Sequence, residues 1–355
     1  MSRLPAHLLC WKNPQPVAVA VGITHPAAGA TLSDDYPEGL LEGVPFDVAP
    51  PCTEVIASWQ GRAPADSQIE IAVRAALAPS DAEAEAWTSW YVLGVWSETQ
   101  RLRHSVVGQQ DAHGTVYTDT LVLEAPTSRL QWRATLRRGE TGAAPSLRSV
   151  LLSPSPVAQT PGVIPPHIAA LAVPELPQMA FDGGNGWCSP TSLTMVLSYW
   201  ATQTADPTLA PFTAPDAVPM LTVPGVHDPV YGGTGNWPFN TAFAASLGLQ
   251  SYVTRLSGVG ELAKWLASGV PVITSIRWKT GELDGAPVDH TDGHLVVVVG
   301  TTADGDLVVN DPAAGPTTGE RVQRVYRREQ FEHVWLDGSG GTVYMVYPPG
   351  HIDED

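Results

Sequence analysis

A chain of 355 residues with 43% hydrophobic content is long enough for two domains of about 150 residues and can bury a core in each, which excludes overall disorder. Only 15% of its residues are charged, and Asp+Glu 36 against Lys+Arg 19 leaves −17 at pH 7, a field that repels phosphate backbones and anionic lipid headgroups. Nucleic acid and membrane surfaces are therefore excluded as partners, most strongly for the second half: 11 basic and 16 acidic residues precede residue 165, and 8 basic and 20 acidic residues follow it.

The opening MSRLPAHLLCWKNPQPVAVAVG is broken by Trp11, Lys12, Asn13, Pro14 and Pro16, so it is not read as a signal peptide; the cytoplasm is the default compartment, and secretion stays open. No window reaches the roughly 20 apolar residues that a membrane-spanning helix needs. Cys10, Cys52 and Cys188 are too few and too scattered for a disulfide framework or a thiolate metal site. Whether Cys10 and Cys52 pair is left open.

From about residue 44 to 153 the pattern is β. In Leu130–Leu136, the residues Leu130, Trp132, Ala134 and Leu136 alternate with Gln131, Arg133 and Thr135, a period of two that turns one face inward. Val55–Trp59, Ile69–Val73 and Thr115–Leu123 read as further strands, and Ser80–Trp87 as a helical interruption. Short strands separated by Gly, Pro and Asp turns predict an antiparallel β-sandwich over residues 1–153. Its pattern resembles galactose-binding-like modules, without a specific motif. Trp87, Trp90, Tyr91 and Trp96 read first as core and second as a carbohydrate platform.

Prolines at 154, 156, 161, 165, 166, 174 and 177 predict an extended linker over 154–177. Residues 178–350 then begin with helices. Leu193, Val196, Leu197 and Trp200 fall at i, i+3, i+4 and i+7 behind Pro190, which the first helical turn accommodates. A second helix is expected from Pro238 through Phe239, Ala242, Phe243 and Leu247, and a third from Val259 to Ser268. Val270–Ile276, His294–Gly300, Asp306–Asn310 and Thr342–Tyr347 read as strands, which makes this half α+β.

Cys188 lies where the glycine-rich loop Gly183–Trp187 meets the first helix. There the positive end of the helix dipole and unsatisfied N–H groups favour thiolate and can hold a developing oxyanion. Alone, Cys188 is as readily a buried structural thiol. His294 begins one strand, and Asp311 ends the next, 17 positions on. Antiparallel pairing through the turn Ala303–Gly305 would set imidazole beside carboxylate, the base and orienting acid that a nucleophilic cysteine requires. Separately they would be a core histidine and a turn aspartate. Gln178, ten positions before Cys188, is a candidate oxyanion donor with the Cys188 N–H. Trp187, and Trp237 in the glycine-rich loop Gly232–Trp237, are expected to line the substrate cleft. Asp289, His290 and Asp292 read as a solvated loop and not as a metal site, so neither metal nor cofactor is expected.

The order Gln178, Trp187-Cys-Ser-Pro-Thr-Ser192, Gly293-His-Leu-Val-Val-Val-Val-Gly300 and Val309-Asn-Asp-Pro312 resembles the bacteriocin-processing type of papain-like cysteine peptidase over residues 175–348. The resemblance implies a papain-like α+β fold. It also implies a nucleophile at Cys188, a base at His294, an orienting Asp311 and Gln178 in the oxyanion hole, acting on a peptide or protein substrate through a thioester. Ser189 departs from the glycine that more often follows the cysteine. Two rival functions stay open on the same residues: an acyltransferase of transglutaminase type, and a domain that grips a peptide without cutting it. The sandwich would bind a carbohydrate or a surface, or simply pack against the hydrolase domain.

Overall fold

The computed structural model describes residues 4–77, 86–315, 319 and 321–352. The chain divides into two compact units, one holding Ala6–Pro156 with His227–Ser246, the other holding Val157–Val226 and the chain from Leu247 onward.

The first unit is an all-β antiparallel sandwich. Its strands are β1 (Leu9–Lys12), β2 (Val17–Val21), β3 (Ile23–Thr24), β4 (Ala30–Leu32), β5 (Glu38–Gly43), β6 (Phe46–Arg62), β7 (Gln68–Ala75), β8 (Tyr91–Trp96), β9 (Gly114–Tyr117), β10 (Thr120–Arg137) and β11 (Ser146–Ser155). The hydrogen-bonded path runs β2-β5-β10-β6-β11-β4-β3, with β1 on β11, β7 and β9 on β10, and β8 on β7. Strand β10 changes partners along its length: Thr120–Val122 pair with β6 and β9, while Leu130–Arg137 pair with β7. Register shifts between these halves let one long strand serve both layers. As the alternation predicts, Leu130, Trp132, Ala134 and Leu136 are fully buried.

Two expectations change here, and a third is not reached. Thr115–Leu123 is not one strand but a hairpin, because Thr118 turns with φ +57° and Tyr117 pairs with Thr120. Ser80–Trp87 falls almost wholly outside the described residues. Of the four aromatics, Tyr91 and Trp96 are core, while half-buried Trp87 and Trp90 are covered by Arg74, whose guanidinium lies 4.8 and 4.5 Å from their rings. A guanidinium thus already occupies a face of each ring.

The main departure is the segment His227–Ser246, expected in the second domain. Its helix Trp237–Ser246 packs on β6, and Phe239 enters the sandwich core with ring centroids 6.2 Å from Trp59 and 5.8 Å from Trp96. The segment is anchored by buried charge. Asp228 accepts N–H groups from Ser105, Val230 and Tyr231 and the Asn236 amide, and buried Arg103 donates to the His227 carbonyl at 3.1 Å. Burial pulls the Arg103 guanidinium down to about 10, and the Asp228 charge opposes that fall. Phe239→Ala should therefore cost about 3–5 kcal/mol of sandwich stability. Thermal or urea unfolding followed by tryptophan fluorescence measures it; a loss under 1 kcal/mol would mean that the helix merely rests on the sheet.

In the second unit, α1 (Cys188–Thr204) packs against an antiparallel sheet ordered β12-β17-β13-β14-β15-β16. Its strands are β12 (Gln250–Arg255), β13 (Val272–Trp278), β14 (Thr291–Thr301), β15 (Leu307–Asn310), β16 (Gln323–Tyr326) and β17 (Thr342–Tyr347). Further helices are Val259–Ala267 and Arg328–Glu332. One apolar stripe was expected on α1, yet every residue from Ser189 to Ala201 is buried. Polar side chains on this helix therefore need partners inside the protein. Ser189 Oγ meets Tyr344 Oη at 3.0 Å, Ser192 donates to the Leu295 carbonyl, and Trp200 donates to the Val346 carbonyl.

The proline-rich run is not a free tether. Residues 154 and 155 complete β11, and the remainder lies along the second unit. The backbones of Ile168 and Thr301 exchange hydrogen bonds, Leu171 donates to Val299, and Thr160 donates to Ser257. The prolines deny donors only at their own positions, and the residues between them supply the pairing.

Candidate active site

Cys188 is the first residue of α1, and no side chain caps this helix start and no acidic residue stands in its first turn. Its free N–H groups and positive dipole end are thus left facing the thiol. A ladder of tight turns delivers the chain to this point: Phe181 N–H donates to Gln178, Gly184 to Phe181, and Trp187 to Gly184. Gly184 is obligatory, because a Cβ there would stand 1.9 Å from the Gln178 carbonyl oxygen.

His294 and Asp311 come together by the route that the sequence suggests. Strands β14 and β15 pair antiparallel with Val297 opposite Asn310 and Thr301 opposite Leu307, and Gly305 closes the turn with φ +85°. His294 Nε2 lies 2.7 Å from Asp311 Oδ1, with both side chains almost wholly buried. The Cys188 thiol hydrogen-bonds the same imidazole, which leaves Nδ1 for the sulfur. The Ser192 bond to the Leu295 carbonyl ties α1 to β14 one residue beyond His294 and so fixes the distance between thiol and ring.

Electrostatics follow from this packing. Burial pushes the Cys188 thiol up, but the hydrogen bond and charge of His294 outweigh it and hold the thiol below its usual range. Burial pulls His294 down, and the Asp311 charge and hydrogen bond reverse this and raise the imidazole. Asp311 itself is pushed up by burial and brought below its usual range by His294, Tyr326 and the Ala313 N–H. All three shifts therefore run towards the charged forms, thiolate, imidazolium and carboxylate.

Gln178 is buried in the single helical turn Gln178–Ala180; its N–H donates to the Pro312 carbonyl at 2.8 Å, next to Asp311. Its side-chain amide donates to the Gly184 carbonyl at 3.0 Å, and Oε1 has no partner. Trp187 is half-buried beside Cys188, with its ring over Gly183. Trp237 is not brought to this group: it opens the helix in the sandwich unit, where its N–H donates to Asp119. Sequence distance misled here, because the chain leaves the second unit at residue 226 and returns at 247. His290 and Asp289 are exposed and 3.8 Å apart, and among the described residues no group of three or more His, Cys, Asp or Glu side chains is arranged to hold a metal ion. No disulfide joins Cys10 to Cys52.

Two residues near His294 had no sequence signal. Trp278 sets its ring 5.7 Å from the imidazole, nearly perpendicular, and Tyr326 donates to Asp311 Oδ2 at 2.6 Å. Both act across strand pairs whose register only the sheet defines.

Comparison with known families matches residues 14–155 to the peptidase C39 N-terminal domain and residues 170–342 to the peptidase C39-like family. The chain carries a peptidase C39 N-terminal domain and a peptidase C39-like domain. Among solved structures, this C39-like protein is similar to one from Bacillus anthracis described as a C39-like peptidase, at 18% identity and a TM-score of 0.33, covering 50% of this chain and 96% of that one. It is also similar to a carbohydrate-binding module solved with β-1,4-galactotriose, at 11% identity and a TM-score of 0.19 over 42% of this chain and 90% of that one. The xylan-binding module CBM15 matches at 13% identity and a TM-score of 0.19, over 42% and 91%. No curated protein matches. Both units of the C39-like chain thus fall within family models, and no helix among the described residues is long and apolar enough to cross a membrane.

Proposed function

We propose that the second unit is a cysteine peptidase that cleaves a peptide or protein amide through Cys188, His294 and Asp311. The observation that carries this reading is the shared imidazole: His294 receives the Cys188 thiol on one side and holds Asp311 at 2.7 Å on the other. The thiolate attacks the scissile carbonyl carbon, and the carbonyl π electrons move to oxygen. The Cys188 N–H at the helix start stabilises that oxyanion, with Gln178 as its partner once its amide turns from Gly184. The imidazolium gives its proton to the leaving nitrogen as the C–N bond breaks, which leaves a thioester on Cys188 and a neutral imidazole. His294 then takes a proton from water, whose oxygen attacks the thioester, and the acid product departs as the thiolate–imidazolium pair re-forms. Half-buried Trp187 walls the substrate beside the sulfur.

Incubation with a diverse peptide library, with and without a primary amine, tests the reaction. Peptide acids as the main products in both arms are expected; amine adducts dominating the second arm would make the chain an acyltransferase, and no cleavage together with no acyl-enzyme would make it a binding domain. For the sandwich, one observation favours a ligand: a cavity of about 320 Å³ lined by Trp11, Gln15, Pro16, Val44, Phe46 and Trp132. A neutral sugar would fit its apolar, aromatic lining. Titration of tryptophan fluorescence with neutral oligosaccharides checks this, and no change up to millimolar concentration would rule it out.

A further inference from the structure

Asp311 is fully buried, and a carboxylate in such a place stays ionised only if donors replace the water that it has lost. His294 and the Ala313 N–H both approach Oδ1, at 2.7 and 2.9 Å, whereas the Tyr326 hydroxyl donates to Oδ2 at 2.6 Å. Tyr326 is itself wholly buried on β16, opposite Leu307 of β15, with Phe331 stacked on its ring. Burial and the neighbouring carboxylate push its ionisation above the ordinary phenol range, so it stays a donor throughout the working pH range. The ionisable and charged groups facing this chain of contacts are Cys188 from α1, His294 from β14, Asp311 after β15, and Arg324 from β16, whose guanidinium lies 6.0 Å from the Tyr326 ring.

We propose that Tyr326 is a positioning residue for the peptidase: by donating to Asp311 it keeps that carboxylate ionised and turned to His294, and so widens the pH range over which the Cys188–His294 ion pair exists. This rests on the cysteine-peptidase reading. The hydroxyl touches neither substrate nor thiol; it acts on His294 through Asp311. Without it, Oδ2 faces a buried phenyl edge, the anion is less favoured, and imidazolium loses part of the charge that stabilises it. A weaker imidazolium raises the pH at which the thiol ionises and lowers the pH at which the imidazolium gives up its proton, so the window narrows from both sides. A tyrosine that only filled space would move neither limb.

The test is the rate of Cys188 alkylation by iodoacetamide between pH 3 and 11, which needs no substrate. In Tyr326→Phe the acid limb should rise and the alkaline limb fall, each by at least half a pH unit, with the fold retained. In Asp311→Asn, further removal of the hydroxyl should move the limbs by less than 0.2 unit, since no carboxylate remains for it to hold. Tyr326→Met, which also lacks a donor, carries the same expectation if the phenylalanine variant melts below the assay temperature. Unchanged limbs in these variants, or equal shifts in the Asp311→Asn background, overturn the inference alone. A parent protein whose Cys188 reacts only above pH 8 overturns it together with the peptidase reading.

Discussion

At pH 6, iodoacetamide should label Cys188 about tenfold faster than Cys10 or Cys52, and Cys188→Ser should keep the fold and lose cleavage. An ordinary thiol with a pKa near 8.5 is about 0.3% ionised at pH 6, whereas a thiolate paired with imidazolium at a helix start is mostly ionised there. The lower intrinsic nucleophilicity of such a thiolate takes back roughly tenfold of that gain and leaves about tenfold. The groups that produce the effect are the uncapped start of α1 and His294. Cys52 is buried in the sandwich core and Cys10 is half-buried on β1. The sign of the pH dependence follows from the directions. The thiol is held low, so reactivity appears as pH rises through that depressed value; His294 is held high, near 10, so the ion pair is lost as pH rises through it. His294→Ala removes the partner and should return the acid limb towards the ordinary thiol range. Labelling that rises only above pH 8, with no response to His294→Ala, would leave Cys188 a plain helix-start thiol.

Asp311→Ala should lower kcat/KM by about 10²- to 10⁴-fold, the range that a well-placed acid–base system supplies. The alanine strands three donors, His294 Nε2, the Tyr326 hydroxyl and the Ala313 N–H, in a site closed to solvent. Breaking one side of a buried charge pair in this way costs roughly 3–5 kcal/mol, so a lower melting temperature is expected as well. That cost depends on pH. Asp311 titrates below its unfolded value, so its stabilising effect is present above about pH 4 and fades as pH falls through the depressed folded value. The raised His294 contributes below about 6.5, and that contribution is lost as pH climbs towards 10. The melting difference between parent and variant should therefore be largest from about pH 4 to 6.5 and shrink on either side. Asp311→Asn separates charge from hydrogen bonding. Its carbonyl oxygen can still accept from His294, and the Tyr326 hydroxyl can turn to accept from the amide, so the fold should survive while the alkaline limb falls. Cleavage by Asp311→Ala within tenfold of the parent would mean that another acceptor orients the imidazole.

Local pattern was enough to read Cys188, His294 and Asp311 from the sequence, because each stands at an element boundary that periodicity and punctuation mark. The helix begins after Gly183–Trp187, β14 begins near Gly293, and β15 ends before Pro312; one turn at Gly305 then dictates that His294 and Asp311 return to the same edge. The sandwich was legible for the same reason, since Leu130–Leu136 alternates cleanly. Strands β12 and β16 were not read, being six and four residues long with polar residues among the apolar ones.

What only the tertiary structure decided are the contacts that no local period encodes. Residues 227–246 read as an ordinary loop and helix between peptidase elements, yet Phe239 finds its apolar environment between Trp59 and Trp96, and Asp228 takes one of its donors, the Ser105 N–H, from a distant part of the chain. Burial free energy depends on the surface that is covered and not on how far along the chain the covering residue lies. In the same way Tyr326 reaches Asp311 because β15 and β16 pair in one register and no other, and α1 is buried on every side because a sheet and loops from distant segments close around it. Sequence by itself determined which groups stand at the ends of elements; long-range packing determined which of those groups share a buried site, because only packing sets the dielectric and the donors around each charge.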